Sequence, residues 1–342
     1  MPYLDKDFKP TIFEYTNVND YNRLLVYYPR KGGRGIPACD FTYEILVTPT
    51  PTPTSSITPT PSITPTLTPT PTPSSSAPSL DPDAAAYLAD VVASGGTTNP
   101  TIESAVDTLF TSLKSNGLYS KMLAMYPYVG ATSGSHAINA LGNKSYDITW
   151  YGGMTHSVSG ATGDGTNGYG NTNFSNGLFT QDSLSIGFYR VNNTQEIRSD
   201  NMMIGMYDTT NREPTIILSC DRNDSYRLCL GDFYSLGLTL NNGNLDGNYI
   251  GTRTTGNTSS SFLYRNNNLE ITTTGDTYTS DGSLTSPVYL FSYNLNNTPY
   301  GAAFSNSTSA FSFLGEGLSA SEVSTLDGII NTFQTSLGRN TY

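Results

Sequence analysis

Apolar positions recur at helical spacing near both ends of the stretch from about residue 80 to 342 and alternate like strands between them. In NPTIESAVDTLFTSLKSNG, Ile102, Ala105, Val106, Leu109, Phe110 and Leu113 share one helical face, with Asn99 and Pro100 opening the segment and Gly117 closing it. LDPDAAAYLADVVASGG follows the same grammar: Asp81 as N-cap, Pro82 at the first helical position, Leu88, Val91 and Val92 on one face, and Gly95 at the stop. LYSKMLAMYPYVG is expected to add one or two amphipathic helical turns before Pro127. In SASEVSTLDGIINTFQTSLGR, Ser319 stands three residues before Glu322 as in a capping box. A stripe of Val323, Leu326, Ile330, Phe333 and Leu337 follows, ending at Gly338. The helices at the two ends are expected to pack together on one side of what lies between.

That intervening stretch, about Ser135 to Phe313, is a series of short β-type runs cut by Asn, Gly, Asp, Ser and Thr clusters roughly every ten residues. YDITWYG, LSIGFYRV, MMIGMYD, TIILSC, YRLCLG, YSLGLTL, SFLYRN, LEITTT and VYLFSYNL are enough for two packed antiparallel sheets. In LSIGFYR, Leu184, Ile186 and Phe188 share a face, which predicts a strand buried on one side and wet on the other.

Thr48 to Pro73 reads TPTPTPTSSITPTPSITPTLTPTPTP. Proline supplies no ladder donor and pushes the residue before it toward extended backbone, so this tract reads as a polyproline-II spacer, about 80 Å long at about 3.1 Å per residue. Four regions result: 1–47, a small N-terminal segment; 48–79, a Pro/Thr-rich linker; 80–134, a helical lead-in; and 135–342, a β-sandwich with a C-terminal helix. The first contains TIFEYTN, LLVYYP and FTYEILV, three or four short strands, and one cysteine, Cys39. At that size, without disulfide or metal cage, it is expected to fold against a partner or a second copy of itself, which makes it an anchor.

A net charge of −11 with 13% charged residues argues against a nucleic-acid partner. The largest basic group, Arg30, Lys31 and Arg34, follows Tyr27 and Tyr28 in YYPRKGGRG. These five residues are the candidates for the anchor's contact, against a solvated loop as the plainer reading. MPYLDKDFKP has no basic start followed by an apolar run, and no stretch approaches the ~20 apolar residues of a membrane span. Cys220 and Cys229 flank DRNDSYRL and could face each other across a hairpin, but reduced buried thiols are expected.

YSKMLAMYPYVGATSGSHAINALG, THSVSGATGDGTNGYGNTN, SFLYRNNNLE and FSFLGEGLSASEVSTLDGIINTFQTSLGR, in this order, resemble bacteriophage virion proteins with a concanavalin A-like (laminin-G-like) jelly-roll domain, over residues 80 to 342. Asn267 stands where the corresponding hairpin often has glycine. The resemblance implies a mainly β, jelly-roll head with flanking helices, joined by the Pro-Thr stalk to a segment that binds other virion proteins. The location it implies is the virion.

Such folds also serve glycosidases, which need paired carboxylates. No ExDxE run occurs, and Glu196 with Asp200 lie too far apart along a strand for a retaining pair. His136 and His156 sit in SGSHA and MTHSV without a GxSxG elbow and are expected to be structural. Asp164, Asn167, Asn171 and Asn173 could offer oxygen ligands to calcium, but turn chemistry accounts for the same residues. Tyr169, Tyr249 and Tyr278, beside Gly/Asn loops, are expected to be exposed platforms for sugar rings. The candidate ligand set is therefore Asp164, Asn167, Tyr169, Asn171, Tyr249 and Tyr278. No catalytic residue, metal or cofactor is implied. The expected role is a non-enzymatic adhesin for host or environmental glycans, with a polysaccharide depolymerase or a ligand-free decoration protein as the alternatives.

Overall fold

The computed structural model describes residues 11–15, 23–27, 79–191, 202–207, 215–220, 225–231, 237–240, 245–255, 260–274 and 285–342. The chain divides into two compact units, Met1–Thr72 and Pro73–Tyr342. In the first, β1 (Thr11–Tyr15) and β2 (Arg23–Tyr27) pair antiparallel, Thr11 opposite Tyr27. The Pro-Thr tract, FTYEILV, Tyr28, Arg30, Lys31, Arg34, Glu196, Asp200 and Tyr278 lie outside the described residues.

The second unit opens with α1 (Pro82–Ala93) and α2 (Pro100–Ser115). Next come β3 (Met122–Tyr126), α3 (Ser133–Ala137), β4 (Thr149–Tyr151), β5 (Thr155–Ser157), β6 (Gly160–Thr162), β7 (Tyr169–Ser175) and β8 (Leu184–Val191). They are followed by β9 (Met202–Tyr207), β10 (Thr215–Cys220), β11 (Ser225–Gly231), β12 (Gly237–Leu240), β13 (Gly247–Arg253), β14 (Phe262–Arg265) and β15 (Asn268–Thr272). The last elements are β16 (Pro287–Leu290), β17 (Asn294–Leu295), β18 (Thr298–Pro299), β19 (Thr308–Gly315) and α4 (Ala320–Ser336).

The helix ends follow from their caps. Asp81 accepts the N–H groups of Asp83 and Ala84, Asn99 accepts that of Ile102, and Ser319 and Glu322 close a reciprocal capping box. The buried stripe of α1 is Ala84, Tyr87, Leu88 and Val91, at i, i+3, i+4 and i+7, so Val92 faces solvent instead of sharing the face of Leu88. LYSKMLAMYPYVG also departs from expectation: after a short 3₁₀ turn at Tyr119–Lys121 it becomes β3, paired antiparallel with β19. Met125 faces the helices, while Ala124 and Tyr126 face the other way. A run buried on both sides has no polar face by which period could tell helix from strand, and pairing decides.

Two antiparallel sheets carry the unit. One runs β15-β14-β13-β8-β19-β6-β5 with β3 beside β19; the other runs β12-β11-β10-β9-β16-β7-β4 with β17 and β18 at its side. Between them lies a core including Leu184, Ile186, Phe188, Tyr249 and Leu314 from the first and Phe174, Ile204, Ile216, Leu228 and Leu290 from the second. The opposite face of the first sheet, with Tyr189, Val191, Ile250, Phe311 and Phe313, packs against α1, α2 and α4. Hence β8 is buried at every position, and the wet face expected for LSIGFYR is covered by helices. The order is helices, sheet, sheet.

The hairpin between β14 and β15 turns on Asn266 and Asn267, both at positive φ (50° and 64°), and Asn296 and Asn297 repeat this between β17 and β18 (52° and 63°). Two consecutive left-handed residues make a type I′ turn, which asparagine supports without glycine. In the β10–β11 hairpin Cys229 is opposite Ile217 and Cys220 is opposite Tyr226, so the two cysteines do not face each other as the spacing allowed. Cys229 is a buried thiol.

Candidate functional site

Strands β4, β7 and β16 are neighbours in the second sheet, and their registers place Tyr151 directly opposite Tyr169, and Asn171 opposite both Thr149 and Tyr289. Alternation sends Trp150, Gly170, Thr172 and Phe174 inward. A Cβ on Gly170 would lie 2.7 Å from the Trp150 ring, so this glycine makes room for the indole. Thr149, Tyr151, Tyr169, Asn171 and Asn173 alternate with these and take the other face.

There the rings form a ladder. Tyr151 stacks on Tyr169 at 4.8 Å between centroids and 11° between planes, and Tyr169 meets Tyr289 at 4.9 Å. Exposure grades along it: Tyr151 is 44% exposed, Tyr169 half-buried and Tyr289 buried. Burial, then the neighbouring phenols, pushes the Tyr289 hydroxyl up to about 12, and burial raises Tyr169 as well, so both are neutral hydroxyls at ordinary pH. Exposed Thr149 and Asn173 and half-buried Asn171 border the rings, and the Asn173 amide donates to the carbonyl of Asp147 at 2.8 Å.

The loop leading into β7 is fixed by Asp164. Its Oδ1 accepts backbone N–H groups from Thr166, Asn167 and Gly168 at 2.8, 2.9 and 2.8 Å. Burial opposes ionisation, but the donors of Asn167, Thr166 and Gly168 outweigh it and hold the carboxyl below its ordinary value. The Asn167 Oδ1 accepts the N–H of Gly153 at 2.8 Å, tying this loop to the end of β4. Turn formation thus uses Oδ1 of Asp164 and Oδ1 of Asn167 as acceptors of backbone N–H groups. Among the described residues no group of three His, Cys, Asp or Glu side chains could hold a metal ion.

Of the predicted set, Asp164, Asn167, Tyr169 and Asn171 lie together on β7 and its entry loop. Tyr249 does not join them and is not exposed: it is buried between the sheets, stacked on Phe188 at 4.8 Å, with its hydroxyl donating to the carbonyl of Leu245 at 2.6 Å. Its neighbourhood to a Gly/Asn loop misled because β13 is an interior strand. Tyr151, Thr149 and Tyr289 were missed by sequence reasoning. Tyr151 was visible in YDITWYG, but only cross-strand register reveals its partner.

Behind the ladder, His136 and His156 meet Nδ1 to Nδ1 at 3.1 Å, with the Trp150 ring 4.9 Å from that of His156. Burial first, then His156 and Arg339, lowers His136 to about 3, and burial lowers His156. Both are neutral near pH 7, one donating to the other.

No protein-family model matches the chain, and no curated protein is similar to it in sequence. Among solved structures, it is similar to domain 4 of AbnA, an extracellular GH43 arabinanase from Geobacillus stearothermophilus (15% identity, 60% of this chain and 98% of that one, TM-score 0.43). It is also similar to a structure of botulinum neurotoxin type C (12% identity, 64% and 53%, TM-score 0.42) and to the CBM40 of the Ruminococcus gnavus IT-sialidase (14% identity, 44% and 84%, TM-score 0.32). The chain spans about half of the neurotoxin structure's length.

Proposed function

We propose that the second unit is a non-enzymatic carbohydrate-binding sandwich whose binding face is the Tyr151–Tyr169 ladder. The observation that carries this reading is the half-exposed, parallel ring pair flanked by Thr149, Asn171 and Asn173. Rings with hydroxyl tips offer a sugar both apolar area and hydrogen bonds, and the bordering amides and hydroxyls add polar contacts. Asp164 and Asn167 act by holding the loop that sets the start of β7, not as ligands.

In this reading the head is a concanavalin A-like jelly roll of a bacteriophage virion, the Pro-Thr tract is a stalk, and residues 1–47 dock on other virion proteins. Several copies on one particle would convert weak single contacts into avidity. The reading draws on the motif resemblance and on the division of the chain at Thr72.

The test is titration of the protein with neutral and capsular oligosaccharides. Binding is expected in the millimolar range, weakened roughly tenfold in Tyr151→Ala, since an aromatic pair contributes about 0.5–1.5 kcal/mol beyond its area. Release of reducing ends from a polysaccharide would replace this reading with a depolymerase. Absence of binding at millimolar sensitivity would leave a decoration protein without ligand.

A further inference from the structure

Among the described residues of the second unit three arginines are buried, and two of them stand beside a carboxylate: Arg253 donates from Nε to Asp182 at 2.9 Å, and Arg190 has Asp246 at 3.9 Å. The third, Arg339, is only 8% exposed and is served differently. Its Nη1 and Nη2 donate to the carbonyls of Tyr128 and Pro127 at 3.0 and 3.3 Å, and its Nε–H has no partner. The ionisable groups acting on it are the phenols of Tyr87 and Tyr189, neutral at ordinary pH, so two carbonyls satisfy hydrogen bonds without supplying charge. Burial lowers its pKa to about 10, which still leaves it a cation.

Arg339 lines a cavity of about 310 Å³ formed by the start of α2, the segment after β3, the turn between β5 and β6, and the end of α4. The lining also includes Asn99 and Thr101 at the start of the sixteen-residue α2, the positive end of its dipole, where Glu103 is the acidic residue of the first turn. The rest is largely apolar, with Ile102, Val129, Val158 and Leu337. A guanidinium that lies over the Phe333 ring at 5.6 Å and has no carboxylate partner among the described residues, a helix N-terminus in the same lining and apolar sides together match a monoanion with a hydrophobic body.

We infer that this cavity binds a small organic carboxylate, its carboxylate directed to Arg339 and its apolar body against Ile102, Val129 and Leu337. This does not depend on the tyrosine ladder, from which it draws no residue. A ring-sized acid suits the volume, which is at the small end of ligand pockets.

Titration of the full-length protein with benzoate and with neutral benzamide, followed by calorimetry, tests it. Benzoate is expected to bind saturably and about tenfold or more tighter than benzamide, the effect of one charge-assisted contact. Arg339→Gln should abolish that preference. Ser336→Trp, at an exposed position on the cavity wall, should weaken benzoate binding at least about tenfold with the melting temperature unchanged. Equal affinity for benzoate and benzamide overturns the inference. So does benzoate binding undiminished in Ser336→Trp, which keeps Arg339 and decides the matter if Arg339→Gln fails to fold. Inorganic phosphate displacing benzoate at lower concentration than benzoate itself would overturn the carboxylate assignment.

Discussion

Arg253 gives its Nε–H to Asp182 and its Nη1–H groups to the Leu230 carbonyl and the Ser261 hydroxyl, all out of water. Removing one partner of such a pair strands the other charge, so Asp182→Ala should lower stability by about 3–5 kcal/mol in urea unfolding. His136 yields a pH prediction. It is neutral in the fold with a pKa of about 3, against 6.5 when free, so between these values the unfolded chain binds more protons. Stability therefore falls as pH drops from about 6.5 toward 3, and His136→Asn should reduce proton uptake on unfolding across that range by about one. Lowered His156 acts in the same direction. At this scale much was legible: Asp81, Asn99 and Ser319 cap where their spacing puts them, and Asp164 makes the turn its Asp-Gly-Thr-Asn context suggests. Tyr249 was not, because a tyrosine in a strand next to a loop looks the same whether its strand is at an edge or, like β13, inside.

Among the elements, α4 joins local signals to tertiary packing. Its capping box contributes about 1 kcal/mol, so Ser319→Ala should cost about that much. Phe333, buried against Phe311 of β19 at 6.1 Å, should cost about 3–5 kcal/mol as alanine, both read from chemical denaturation. The contrast between these two variants tests whether the helix owes its stability to the sheet beneath it. Each strand run named from sequence contains a strand where it is described, although VYLFSYNL breaks between Leu290 and Asn294 and YDITWYG is strand only from Thr149 to Tyr151, since β-branched and aromatic residues between Asn/Gly clusters are a local signal. Their surroundings were not local. The alternation in β8 marked one buried face correctly, but Ser185 and Gly187 on the other side carry no sign that α1, α2 and α4 cover the sheet, and Met122–Tyr126 gave no polar face from which strand could be told from helix.

For the whole molecule, all the described apolar clusters lie within Pro73–Tyr342. A chain lacking residues 1–72 should then melt at the same temperature as the full chain, by calorimetry, while losing whatever attachment those residues provide. From composition, the Pro/Thr run was expected to stand outside any core, because it has no apolar face to bury and its prolines donate to no ladder. The position of the tyrosine ladder was not legible, since it needs β4, β7 and β16 side by side across more than a hundred residues of chain. The protein contains a single tryptophan, Trp150, which donates from its indole to the Ser133 carbonyl at 3.1 Å and packs against Tyr128, His156 and Phe291. It is chain-adjacent to Tyr151 on one side of β4 and in ring contact with His156 of the histidine pair on the other. All indole emission from this protein therefore originates at one point, wired to both features, so that sugar added at the ladder and acid added to the histidines should each be visible in the same fluorescence signal without any label.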